Sequence, residues 1–116
     1  MPVNNPGLFD YATLESELDV ECAIELGRSF LEDTSPLMTR MSEALAAKDK
    51  ELMRSTAHKL KGACRSINAL KVEEASSALE DAARAGDEAG MAAHFKTLEP
   101  LYAALTDEIA AYLKSK

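Results

Sequence analysis

The chain has 116 residues, enough for one domain with a single sizeable core and too few for two. Aromatic residues make up 5%, tryptophan is absent, and five glycines and four prolines punctuate stretches rich in Ala, Leu, Glu and Lys, a balance that favours an all-α fold over sheet. Thirteen Lys and Arg stand against twenty Asp and Glu, a formal net charge of −7, which argues against a nucleic-acid partner.

The amino terminus, Met1 to Gly7, lacks the cationic start and apolar run of a signal peptide, and no later apolar run is long enough to span a bilayer. A soluble, cytoplasmic protein with no membrane contact is expected. Residues 1–9 read as a flexible lead segment that lies on the domain or is disordered, and residues 10–116 as one domain. Asp10 is the expected cap of a short helix whose Tyr11, Leu14 and Leu18 share a face and which covers one end of the molecule; Asp19 caps the next helix. From Val20 through Ala23, Ile24, Gly27, Phe30, Leu31, Leu37, Met38 and Met41 to Leu45 the apolar positions keep one phase, predicting a helix over 20–47 that kinks at Pro36 without reversing.

Ala47-Lys48-Asp49-Lys50 is a turn, after which a helix runs to Ile67 with Leu52, Met53, Thr56, Leu60, Cys64 and Ile67 inward and Asn68 in the left-handed conformation at its end. A fourth helix over 71–85 turns Val72, Ala75, Leu79 and Ala82 inward, and Gly86-Asp87 is a stop followed by a cap. The last helix starts near Glu88 and keeps Met91, Phe95, Leu98, Tyr102, Leu105, Ile109 and Tyr112 in phase across Pro100. Two long and two shorter helices predict an antiparallel four-helix bundle with a short extra N-terminal helix. Cys22 and Cys64 both fall on apolar stripes without CxxC spacing and read as reduced core thiols. His94, at the border of the last stripe with no second ligand at i+3 or i+4, reads as structural, and no metal site is expected.

Chemistry concentrates in the third helix. At about 100° per residue, Glu51, Arg54, Lys61, Gly62 and Arg65 project within about 60° of His58, whereas Met53, Leu60, Cys64 and Ile67 project to the far side. A lone solvent-facing histidine is ordinarily a plain surface residue, but Arg54, Lys61 and Arg65 around it suit a ring nitrogen that accepts a phosphoryl group. Lys61, one turn on, can reach an oxygen held on that nitrogen, against the simpler reading of a solvated lysine. Gly62 costs a helix interior about 1 kcal/mol and leaves the backbone bare for an approaching partner, against the simpler reading of a tolerated glycine. Glu73, Glu74, Glu80, Asp81, Asp87 and Glu88 read as a solvated face, and no carboxylate cluster is expected around His58.

The run AHKLKGACRSINAL, followed by ALEDAARAGD, resembles the signature of histidine-containing phosphotransfer (HPt) domains, the phosphohistidine carriers of multistep phosphorelays. The matching positions are Ala57-His58, Lys59, Leu60, Lys61-Gly62, Asn68, Leu79-Glu80 and Gly86-Asp87, with Phe-Leu-Glu-Asp at 30–33. The resemblance implies that His58 is the phosphoacceptor, taking a phosphoryl group from a receiver-domain aspartate and passing it to another receiver, with Lys61 stabilising the group and Gly62 giving access. It implies a monomeric carrier rather than an enzyme, without a cofactor of its own, the acidic pocket and Mg²⁺ belonging to the receiver. The implied partners are receiver domains of response regulators or hybrid histidine kinases, docking against Arg54 and Arg65. Arg65 stands where the family usually has a small residue and so bears on partner choice; Asn68 replaces a helix-closing glycine. No Gly-rich nucleotide segment is present, and Lys59 follows the histidine where sensor kinases carry an acid, which sets a kinase aside. The competing reading is a non-transferring adaptor bundle that binds and sequesters a response-regulator receiver; intact His58, Lys61 and Gly62 favour the carrier.

Overall fold

Aspartates start four helices of the computed structural model, which describes residues 2–116. Asp10 accepts from the Thr13 amide ahead of α1 (Tyr11–Glu17), and Asp19 from Cys22 ahead of α2 (Val20–Ala47). Asp49 accepts from Leu52 ahead of α3 (Lys50–Ser66), and Asp87 from Gly90 ahead of α5 (Glu88–Lys114). Each carboxylate satisfies an orphan amide at the positive end of a helix dipole. The remaining helix, α4 (Leu70–Arg84), starts at Ala69 with no side-chain cap. Its first turn is served instead by the lead segment, whose Gly7 carbonyl accepts from the Lys71 amide at 3.0 Å. Left-handed residues close the other ends of the tight turns: Lys48 and Asn68 at φ 55°, and Gly86 at φ 71°, where glycine is free of the Cβ penalty.

Helices α2 to α5 form the expected antiparallel bundle, α2 and α4 each packing on both α3 and α5, within an envelope of 41 × 19 × 19 Å. Met41, Met53, Leu60, Leu79, Met91, Leu98, Leu105 and Ile109 fill its centre. Both long helices run uninterrupted through Pro36 and Pro100. They also approach closely: a Cβ on Gly27 would lie 3.2 Å from Ile109 Cγ2. Because α2 and α5 are 28 and 27 residues long and α3 and α4 only 17 and 15, one end overhangs. There α1 and the lead segment pack, with the Phe9, Tyr11 and Tyr112 rings clustered edge-on and tilted at centroid distances of 4.8 to 6.0 Å.

Leu8 and Phe9 are buried, and Asn5 and the Phe9 amide donate to Glu108, so the lead segment lies on the bundle at this end; Met1 lies outside the described residues. Two adjacent apolar residues have no period by which to be read as core. Three expectations are corrected. Leu18, at the end of α1, and Val20 are exposed, and the buried stripe of α2 begins at Ala23. Cys22, next to the buried Ala23 but off its stripe, is exposed, whereas Cys64 is buried and burial pushes its thiol up to about 12. His94, expected as a structural residue at the border of the last stripe, is exposed on α5.

Candidate functional site

The outward face of α3 is set by its inward one. Met53, Thr56, Ala57, Leu60 and Cys64 are buried, which turns His58 to the surface with 62% of its side chain exposed. On α4 the buried stripe is Val72, Ser76, Leu79, Glu80 and Ala83, and its one charged member passes directly beneath that histidine. Glu80 is 1% exposed and holds three basic side chains. Its Oε2 lies 2.9 Å from His58 Nδ1 and accepts from Arg84 Nη2 at 3.0 Å, while its Oε1 lies 2.6 Å from Lys61 Nζ.

Burial pushes the Glu80 carboxyl up, but hydrogen bonds from the Lys61 ammonium and His58 imidazole, with their charges, outweigh it and hold the group below its ordinary value. The carboxylate is therefore ionised and has no hydrogen to give, so the hydrogen on the 2.9 Å contact belongs to His58 Nδ1. The other ring nitrogen, Nε2, keeps the side of the ring turned away from the carboxylate.

The structure distributes the expected site residues differently from a ring of free cations. Lys61 shares Glu80 with His58 and is only 16% exposed. Arg54 pairs with Glu51 on its own helix, an ion pair that holds its guanidinium above the ordinary value. Arg65 reaches across to α4, its Nε donating to Glu73 Oε2 at 2.8 Å. Gly62 is exposed, and a Cβ added there would meet no atom within 4 Å, so no contact within the chain calls for a glycine at this position. Beside the site an open cleft of about 620 Å³ runs between the start of α3 and the end of α4, lined by Lys50, Glu51, Arg54, Arg84 and Gly86.

The expected solvated acidic face thus fails at Glu80, which is buried beneath His58, and Arg84 joins the site with it. The signal was present: Val72, Ser76, Leu79, Glu80 and Ala83 follow the i, i+4, i+7, i+8, i+11 pattern of a buried helical face, and Arg84 is one turn beyond Glu80. Among the described residues no group of three or more His, Cys, Asp or Glu side chains is placed to hold a metal ion, and no helix is long and apolar enough to cross a membrane.

A family model described as the Hpt domain matches residues 25–114, a span that holds α3, α4 and α5 and most of α2. The chain belongs to the Hpt domain family. As an Hpt domain it is a histidine phosphotransfer protein of a phosphorelay, a phosphoryl carrier rather than a classical enzyme, of a family whose members interact with receiver domains. The crystal structure of histidine-containing phosphotransfer protein B from Pseudomonas aeruginosa PAO1 is similar, with a TM-score of 0.85 and 24% sequence identity over 97% of this chain and 99% of that one. That likeness shows the helical-bundle fold of the Hpt domain. No curated protein sequence matches significantly.

Proposed function

We propose that His58 accepts a phosphoryl group at Nε2 from the phospho-aspartate of one receiver domain and passes it to another, the receivers belonging to response regulators or hybrid histidine kinases. The observation that carries this reading is the buried Glu80 carboxylate on His58 Nδ1, which aims the opposite nitrogen outward beside the bare backbone of Gly62. The Nε2 lone pair attacks phosphorus as the bond to the aspartate oxygen breaks, and the aspartate carboxylate leaves with that electron pair. The ring gains positive charge, which the Nδ1–H contact to Glu80 stabilises, and because the ring is already held, little orientational freedom is lost on the way to the transition state.

Lys61 Nζ pairs with Glu80 Oε1 at 2.6 Å and keeps N–H donors for a phosphoryl oxygen. Gly62 lets the receiver's active-site loop come close to the helix. Both Glu80 oxygens are occupied by basic side chains, so the carboxylate nearest the imidazole does not suit a metal; Mg²⁺ would be held by the receiver's acidic pocket. Residues 50–84 hold seven Lys and Arg against five Asp and Glu, a net of +2, which leaves −9 for the rest of a chain whose total is −7. That asymmetry steers an acidic receiver to the α3–α4 side, where Arg54 and Arg65 exchange their present ion pairs for the receiver's rim. The carrier acts as a monomer in the cytoplasm.

A phosphorylated receiver should label this protein with an acid-labile, base-stable phosphate, and His58→Gln should remain unlabelled. Labelling of the glutamine variant would overturn the assignment of His58. Tight binding of receivers without labelling would point to the sequestering adaptor instead.

A further inference from the structure

Gly62 leaves one turn of the outward face of α3 bare, and two residues are placed to cover it. Side chains on a helix lean toward its N-terminus, so the surface over Gly62 belongs to the residues three and four positions on, Arg65 and Ser66. Ser66 is short and turns its hydroxyl back to the Gly62 carbonyl at 3.4 Å. Arg65 is long enough to lie across the turn, and solvent surrounds 63% of its side chain. It does not lie there: a Cβ built on Gly62 would meet neither side chain within 4 Å. The Arg65 Nε instead donates at 2.8 Å to Glu73 Oε2 on α4, and that carboxylate is the better anchored of the two, with 22% of its side chain exposed.

We propose that Glu73 is a positioning residue for phosphoryl transfer, which holds Arg65 against α4 and off the Gly62 surface so that a receiver finds the approach to His58 open. The inference rests on the reading of His58 as a phosphoacceptor approached over Gly62. An arginine seven residues past the histidine offers a receiver's acidic rim a cation, but unheld it would lie across the turn that the receiver's active-site loop must reach. The ion pair keeps the charge at the edge of the face and the turn clear. It is also readily surrendered, because an exposed pair is weak in water and a receiver carboxylate can take over the guanidinium as docking proceeds. As an acid in the first turn of α4, which has no side-chain cap, Glu73 also suits the helix dipole, a role that does not depend on Arg65.

The test measures the second-order rate of transfer to the full chain from a receiver domain phosphorylated with acetyl phosphate. Glu73→Gln should lower that rate about threefold, the bias that one exposed ion pair can exert, and should leave labelling by the small donor phosphoramidate unchanged. In an Arg65→Ala background the same Glu73 substitution should alter neither rate. Proton NOEs between the Arg65 side chain and the Gly62 α-protons should appear in Glu73→Gln and be absent from the parent protein. An equal loss with both donors, or in both backgrounds, would leave Glu73 only its part in α4. Unchanged or faster transfer in Glu73→Gln, or no new NOE, would show that Arg65 does not obstruct the face. Each of these overturns the proposal while His58 stands as phosphoacceptor, whereas labelling of His58→Gln by either donor would overturn the reading beneath it.

Discussion

Two buried polar clusters in this bundle are built in opposite senses. Beneath His58 the carboxylate is inside and its basic partners reach it from the surface; at the overhanging end the inner group is the neutral phenol of Tyr112, which donates at 2.5 Å to the partly exposed Glu15, itself paired with Lys116 at 3.3 Å. Burial and the Glu15 hydrogen bond push the Tyr112 hydroxyl up, so it stays un-ionised and the cluster joins α1 to α5 at little electrostatic cost. A buried carboxylate adds little stability compared with an apolar side chain of the same size. Glu80 is explained by what it does to the imidazole above it, and Tyr112 by what it does to packing.

The sharpest break between the two clusters is expected at Glu80. Glu80→Ala leaves a largely covered Lys61 ammonium without its counter-charge and should lower the unfolding free energy in urea by about 3 kcal/mol. The same group sets an acid limb. Its folded-state carboxyl lies below the ordinary 4.5, so its stabilisation is fully present above that value and is lost as pH falls through the lower folded one. Glu80→Gln should flatten the loss of stability in that window; an identical acid limb in the variant would mean that other carboxylates carry it.

A smaller effect of the opposite sign is expected at Gly62. Because a Cβ there meets nothing, Gly62→Ala should raise stability by about 1 kcal/mol through helix propensity while slowing phosphoryl transfer from a receiver. Unchanged transfer kinetics would show that the bare backbone is not an approach surface. The smallest effect is expected at Tyr112→Phe, which loses one hydrogen bond worth about 1 kcal/mol or less and should leave labelling of His58 unaltered. Reduced labelling would show that the two clusters are coupled through α5.

Helix periodicity, aspartate caps and left-handed stops were readable residue by residue, because each depends on neighbours no more than a few positions away. They define α2 as Val20–Ala47, place the outward face of α3 at His58 and Gly62, and put the stop of α3 at Asn68. His58, Lys61 and Gly62 share one helical face, and their order carries the family resemblance.

Pairing between elements was not legible in the same way. His58 and Glu80 are 22 residues apart, and whether the acid lies beneath the ring or in solvent depends on how α4 is rotated about its own axis against α3. A shift of one residue in that packing, about 100° of rotation, would turn Glu80 toward water. The partners of Arg54 and Arg65, the capping of α4 by Gly7 and the exposure of Cys22 share this character. Local sequence settles which face of each helix is apolar, since that follows from spacing along one chain segment. Which charges meet is settled only when two such faces are pressed together, since burial and proximity are properties of the packed pair.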